Sequence, residues 1–469
     1  MKAKKNIGRV LLVVYDNDSL VSWFPQGLAY IATPLIKAGY DVTVYNQDIY
    51  HWPEQHLTDL LDREHFDVIG VSVIAGYYQY QKLLKLSDAI NKSKRRPIYI
   101  LGGHGPAPEP EYFLKKTGAD IIVRGEGEIT ILEVMKALAG KHSLSPINGI
   151  AYRDGKKYVI NPPRPLITDI DKIDFPSWEL FPINHYSLYR TPNILRSDRL
   201  MPVLSGRGCI FQCNFCYRMD KGFRPRSIGN ILEEVKKLQT DYNITAITFS
   251  DDLLMSSQQR TVELCEGILK SGMKFKWDCN GRLNFANKEV LQLMKKAGCI
   301  FINYGIESLD QKALITMKKG LTIKMIHEGI KNTLDVGISP GLNIIFGNIG
   351  ETRTSLQKGV DFLLKYDDHA QLRTIRPVTP YPGSPLYYYA IEKGLLKGPK
   401  DFYENKHINS DLLAVNFTNM TDDKFHEALF KANKTLLEAY YKQSCKNAIK
   451  TARKLYIDKD SSFRGFRAV

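Results

Sequence analysis

The stretch CIFQCNFCYR, Cys209 to Arg218, places three of the chain's seven cysteines within eight positions, in the spacing C-x3-C-x2-C. Disulfides take cysteines in pairs and structural zinc takes four ligands, yet no histidine lies between His185 and His327 to complete a zinc set. Cys213 and Cys216 form a CxxC, as redox thiols do, but that reading leaves Cys209 without a role. Three thiolates in this spacing can hold three corners of a [4Fe–4S] cube and leave one iron without a protein ligand. The preceding MPVLSGRGC is an apolar run closed by the flexible Ser205-Gly206-Arg207-Gly208, so the cysteines follow directly on a strand.

Working downstream, five further apolar runs resemble that strand: ITAITFSDD, KFKWDCNGR, CIFINYGIES, PGLNIIFGN and LRTIRPVTP, with helical segments such as ILEEVKKLQTDY and LQLMKKAG between them. Six strand–helix units are fewer than the eight of a closed barrel and predict a partial (βα)6 barrel over residues 201–395, open on one side. Its chemistry is expected at the carboxyl ends of the strands, where Ser250, Asp251, Asp252, Arg282, Glu307, Ser308, Asn343 and Pro377 fall.

Upstream, residues 1–142 alternate strand-like runs (VLLVVYD, YDVTVYNQD, FDVIGVSVIAG, RPIYILGGHG, ADIIVRGEGE) with helix-length segments, which predicts a Rossmann-like parallel sheet. The strand ends are rich in glycine: Gly76, then Gly102-Gly103-His104-Gly105, then Gly125-Glu126-Gly127-Glu128. Several such ends on one sheet favour a ligand cleft. No GxGxxG follows the first strand, which speaks against a nicotinamide site. The proline-bearing residues 143–200 read as a linker. Residues 396–469 read as a helical tail packed on the barrel, with seven basic and two acidic residues past Cys445.

The cysteine motif and its setting resemble the radical S-adenosylmethionine (SAM) enzymes, whose cluster motif is CxxxCxxC with an aromatic residue, here Phe215, before the third cysteine. Ser250-Asp251-Asp252, Tyr304-Gly305-Ile306-Glu307-Ser308, GNIGET (Gly347 to Thr352) and PVTPYPGSPLY follow in that family's order, with Ile349 where a proline is usual. The resemblance implies that Cys209, Cys213 and Cys216 hold a [4Fe–4S] cluster whose open iron binds SAM. It also implies that SAM lies among Phe215, Ser250, Asp251, Asp252, Arg282, Glu307, Ser308, Asn343 and Pro377, and is cleaved to a 5′-deoxyadenosyl radical. Arg282 would pair with the SAM carboxylate, and Asp251 or Asp252 would accept from its ammonium. PQGLAYIA, LGGHGPAPEPE and VRGEGE in the first half resemble the cobalamin-binding domain of one subclass. Gly27, Gly76, Gly102, Gly103, His104, Gly125 and Glu126 would then contact cobalamin through its periphery, since no D-x-H-x-x-G supplies an axial histidine.

The function this implies is methylation of an unactivated carbon in a small-molecule, lipid or natural-product substrate. Cyclisation, dehydration or carbon–carbon bond formation on the same scaffold is the alternative, and a non-enzymatic corrinoid or iron–sulfur carrier a remote third. The first 208 residues hold no cysteine, which excludes an N-terminal auxiliary cluster; Cys265, Cys279, Cys299 and Cys445 are isolated and expected to be buried small hydrophobes. The net charge of +15 is spread along the chain without a nucleic-acid module. It suits an acidic flavodoxin or ferredoxin as electron donor, and peripheral membrane contact stays open. The clustered odd cysteines and the lack of a long apolar run predict a cytoplasmic protein.

Overall fold

The computed structural model describes residues 8–18 and 22–462. In strand β1 (Arg9–Val14), Val10, Leu12 and Val14 turn to one face and Leu11 and Val13 to the other, and all five are buried. A strand covered on both faces needs an apolar residue at every position, so RVLLVV has no polar alternation. It is joined by β2 (Asp41–Asn46), β3 (Val68–Ser72), β4 (Ile98–Gly102) and β5 (Ile121–Val123) in the parallel order β2-β1-β3-β4-β5. The order reverses between β1 and β3, and beyond the carboxyl ends of such a pair the two crossovers diverge and leave a crevice.

Residues 143–200, expected as a linker, do more than connect. β6 (Ile150–Asp154) and β7 (Lys157–Ile160) extend the first sheet as an antiparallel hairpin. Trp178, Phe181 and Tyr186 then bury their rings around Phe24, with centroids 4.7, 5.2 and 5.5 Å away. Prolines in this segment mark changes of direction within a packed seam, not an exposed tether. The core on this face of the sheet therefore runs without a break into the second unit, through Met201 and Val203.

The second unit begins with β8 (Leu200–Val203), followed by a two-stranded ribbon of β9 (Gly206–Arg207) and β10 (Arg224–Pro225). β11 (Ala246–Phe249), β12 (Lys276–Gly281), β13 (Cys299–Glu307), β14 (Ser339–Phe346) and β15 (Arg376–Pro377) complete a parallel sheet in the order β8-β11-β12-β13-β14-β15. The outer strands β8 and β15 do not pair, so this is the six-stranded open barrel expected from the sequence. The tail differs from a helix on the barrel alone: Phe402 and Tyr403 pack into the other core of the first sheet, Tyr403 stacking on Tyr80 at 4.8 Å. The C-terminal helix Asp422–Tyr456 lies on the barrel only in its first half, where Phe425 stacks on Phe346 at 4.9 Å; none of its residues beyond Leu436 is buried. Residues 463–469 of the basic tail lie outside the described residues.

Inside the barrel, Oδ2 of Asp278 accepts from the hydroxyls of Thr191 at 2.7 Å and Thr248 at 3.0 Å. Burial pushes this carboxyl up to about 6, the two hydroxyls opposing. Because the folded value exceeds that of the unfolded chain, the stability this group contributes is full below about pH 4 and lost as pH rises through about 6. Asp278→Asn keeps an oxygen for both hydroxyls and removes the charge. Unfolding followed from pH 4 to 7 should therefore show a flatter profile for the variant, the two proteins diverging by roughly 1–3 kcal/mol; parallel profiles would refute this.

Candidate active site between the two sheets

The cysteine loop leaves β9 and returns on β10, so a short antiparallel ribbon closes it at its base. Gly208 has φ +85°, and a Cβ there would meet the Gly222 carbonyl at 2.4 Å, so the entry to the loop requires glycine. At the tip, Asn214 fastens the loop to the barrel from both sides. Its backbone N–H donates to Met317 O at 3.0 Å, its carbonyl accepts from Leu386 N at 2.8 Å, and its amide exchanges bonds of 3.1 and 3.0 Å with the Asn348 amide. Cys213 is buried, Cys209 half-buried, and Cys216 opens part of its surface to solvent. Burial raises the Cys209 thiol, and the protein packed around Cys216 pushes its thiol up to about 12, the neighbouring Cys213 adding to it. Ligation of iron must therefore release protons from these thiols, and rising pH favours it. Among the described residues no three His, Cys, Asp or Glu side chains group around a single ion. A four-iron cube takes one thiolate per iron, so its three cysteine ligands need not converge on a single point.

The strand-end residues divide into occupied and open ones. Asp251 is buried, with its carboxylate accepting from Ser205 N at 2.6 Å, Gly206 N at 3.1 Å and the Ser205 hydroxyl; burial still pushes it up to about 6. It is thus the anchor of the turn before the cysteine loop, its Oδ1 accepting twice and its Oδ2 once. Asp252 is the exposed member of the pair and faces the cavity. Ser308 is likewise engaged, donating at 2.7 Å to Glu351, whose other oxygen accepts from Gly347 N and Asn348 N; burial pushes Glu351 up to about 7. Ser250 donates to Gln26 Oε1 at 2.8 Å, across to the first unit.

Arg282 is buried beside the cysteine loop and not on an open wall. Its guanidinium lies 3.4 Å over the Phe211 ring, one of its nitrogens is 3.9 Å from Cys213 Sγ, and another donates to Lys319 O. Glu307 has φ +68° and follows a register shift in β13, a local irregularity that re-aims its side chain. It pairs with Lys319 at 2.8 Å, and that ammonium stands 5.8 Å from the Phe215 ring centroid. A Cβ on Gly305 would come within 2.3 Å of the Glu307 carboxylate, so this ion pair depends on glycine there. Asn343 ends a relay of amides across the barrel: it donates to Asn303 at 2.7 Å, Asn303 to Asn280 at 3.0 Å, and Asn280 to the Asp251 carbonyl at 2.9 Å. Pro377 lies buried in the edge strand β15.

Between the two sheets lies a cavity of about 750 Å³ whose wall includes Gly27, Gly102, Gly103, His104, Gly125 and Glu126 from the first unit and Arg207, Gly208, Ser250 and Asp252 from the second. Gly76 is not part of it; it caps the helix Tyr77–Lys92. At Gly27, Gly102 and Gly125 nothing lies within 4 Å of where a Cβ would stand, so the missing side chains leave open space. The cavity continues along the sheet past Val10, Leu12 and Gly70, an apolar slot. On the polar side, Glu128 Oε2 and Asp220 Oδ1 are buried acceptors with no partner among the described residues. A broad ring with amide-bearing arms and a trailing nucleotide would use such a combination, so the residues present fit cobalamin. His104 meets the Tyr217 ring edge-on at 6.1 Å, directly after Cys216.

Two family models match, that of the radical SAM superfamily over residues 203–363 and that of the B12-binding domain over residues 13–135. The chain is 30% identical over 400 residues to the uncharacterized methyltransferase PH0819 of Pyrococcus horikoshii, across 83% of this chain and 84% of that protein. The chain belongs to the B12-binding radical SAM enzymes. This radical SAM protein is also 26% identical to the anaerobic magnesium-protoporphyrin IX monomethyl ester cyclase of Cereibacter sphaeroides, across 78% of the chain and 60% of that protein. In fold it resembles the radical SAM methyltransferase TsrM of Kitasatospora setae, a structure with cobalamin and a [4Fe–4S] cluster bound, at a TM-score of 0.71 and 17% identity over 92% of this chain and 89% of that one.

The sequence does not disclose what joins the two units. Glu126, expected to contact cobalamin, accepts from Arg207 at 3.0 Å and Arg224 at 2.9 Å, and from Ile167 N at 2.8 Å; Arg207 also reaches Glu128 at 2.5 Å and Arg224 reaches Asp220 at 2.8 Å. Nothing in VRGEGE or SGRGC names these pairings, since they link positions far apart in the chain. Removing one partner of a buried ion pair leaves the others unpaired and costs about 3–5 kcal/mol. Glu126→Ala should lose that much in chemical unfolding, whereas Asp335→Ala, which frees the exposed Lys331, should leave the unfolding midpoint close to the parent's. The isolated cysteines follow expectation at Cys265, Cys279 and Cys299, all buried, but not at Cys445, which is exposed because it lies past the last buried turn of its helix.

Proposed function

We propose that this radical SAM protein is a cobalamin-dependent methylase acting on an unactivated carbon of a small or lipid-like molecule. The observation that carries the reading is the single cavity that joins the open glycine ends of the first sheet to the base of the cysteine loop at Gly208. When bound, the cluster with SAM supplies a carbon-centred radical and the corrin supplies a methyl group. Cys209, Cys213 and Cys216 would hold the cluster, with Arg282 beside Cys213 offsetting thiolate charge. Of the two acidic residues after β11, the exposed Asp252 would accept from the SAM ammonium. Asn343, positioned by the amide relay, and Glu307, held by Lys319, would orient the remainder of SAM. Gly102, Gly103 and Gly125 would admit the corrin to the backbone. The surrounding walls exclude water from the reacting carbon. A flavodoxin or ferredoxin would donate the electron.

The likeness to a cyclase sustains a second reading, a radical ring closure on the same scaffold. Anaerobically reconstituted protein given SAM and a strong reductant distinguishes them. A methylase forms both 5′-deoxyadenosine and S-adenosylhomocysteine, while a cyclase that does not transfer methyl forms the first alone. Cys213→Ala should lose the iron chromophore and 5′-deoxyadenosine formation by at least a hundredfold; parent-like turnover of SAM in that variant would end the radical reading.

Gly102 has an ordinary backbone conformation and open space before it, so Gly102→Leu should fold as the parent does. Its side chain would stand where the corrin is proposed to lie. Corrin absorbance after reconstitution should drop at least tenfold, with 5′-deoxyadenosine formation retained. Full corrin uptake by this variant would move the cofactor elsewhere.

A further inference from the structure

The last turns of the C-terminal helix Asp422–Tyr456 carry a two-sided pattern that the site does not use. Tyr441, Cys445, Ala448, Ala452 and Tyr456 recur at intervals of three and four and share one face, with Ile449 on its edge. Tyr441, Ile449 and Tyr456 are 60%, 63% and 69% exposed. Beginning beside Ile449 and running round to the far side of the helix stand Lys442, Arg453, Lys446, Lys450 and Lys454, and from Ala439 to Tyr456 there is no acidic residue. Among the described residues none of these five cations makes an ion pair, although the earlier turns of the same helix pair Lys431 with Glu427 and Lys434 with Glu438. Buried residues end at Leu436, so about 30 Å of helix continues beyond the last one. The following FRGFRAV adds two arginines and two phenylalanines to the sequence.

We infer that this half-helix lies on the surface of an anionic phospholipid bilayer, its Tyr441–Ile449–Tyr456 face in the headgroup boundary and its lysines against lipid phosphates. The apolar stripe is too interrupted to cross a membrane, and among the described residues no helix is long and apolar enough to do so. An amphipathic basic helix of this kind binds in the plane of the interface, with apolar burial and charge attraction acting together. A second copy of the chain seated on the stripe would bring two sets of five like charges together. An acidic protein would satisfy the lysines but leave Ile449 and Tyr456 in water. Only a surface that is anionic and apolar at once matches both faces. The inference stands independently of the reaction proposed above.

The full chain should co-sediment with vesicles of phosphatidylcholine containing phosphatidylglycerol. Binding to pure phosphatidylcholine should be at least tenfold weaker, as should binding to the anionic vesicles in high salt. Lys446→Gln/Lys450→Gln/Lys454→Gln and Ile449→Ser/Tyr456→Ser should each weaken binding by a further tenfold with unchanged melting temperature, since all five positions are exposed. Equal binding to both vesicle types, parent-like binding by both variants, a dimer in lipid-free sedimentation that Ile449→Ser/Tyr456→Ser abolishes, or retention of an acidic ferredoxin but not of anionic vesicles would each overturn the assignment.

Discussion

The Glu126 carboxylate holds the molecule together at its functional centre. It lies at the carboxyl end of the first sheet and is shared by two guanidiniums, one of which, Arg207, stands two residues before Cys209. Charges this deeply placed are stable only when paired and fully hydrogen-bonded, so the cysteine loop cannot move away from the first sheet without stranding them. The distance between the iron site and the glycine-lined cavity is thereby set by electrostatics. Packing supports it: Trp178, Phe181 and Tyr186 fill the seam on one side, and Phe402 and Tyr403 return from the far end of the chain on the other.

Around this clamp, acidic and polar groups share the labour in a way their residue types do not reveal. Asp251 and Glu351 are consumed by backbone N–H groups at loop corners, so each acts as a fixed internal acceptor. Asp252, one residue on, is exposed toward the cavity, whereas Asn343 spends its amide N–H groups on Asn303 and the Tyr304 carbonyl. A buried carboxylate with three donors stabilises a turn at the expense of binding anything else.

Much of the fold was legible because its signals are local. The continuous apolar run of β1, the strand–helix alternation and the C-x3-C-x2-C spacing each report on neighbours in sequence, and the two sheets follow from them. What stayed hidden depends on partners far apart. Asp251 and Asp252 are indistinguishable as letters, and only the turn at Ser205 decides which is free. Arg282 reads as a carboxylate partner until Phe211 and Cys213 are placed against it. The prolines of 143–200 suggested a tether because proline breaks helices equally well in a buried seam and in a linker. Gly76 looked like the other strand-end glycines, yet the chain turns there to start a helix away from the cavity.

The attachment of Asn214 has a bearing on how the protein matures. Its three anchors, Met317, Asn348 and Leu386, all come from chain made later than the cysteines, the last of them near the end of the barrel. At ordinary rates of synthesis the cysteine loop waits on the order of ten seconds or more before its last anchor exists. During that interval the tip of the loop lacks these anchors, and only its base is tied, through Arg207 and Arg224, to Glu126. The finished geometry of the cysteine loop thus depends on residues of the barrel's last strands and cannot be complete before they are made.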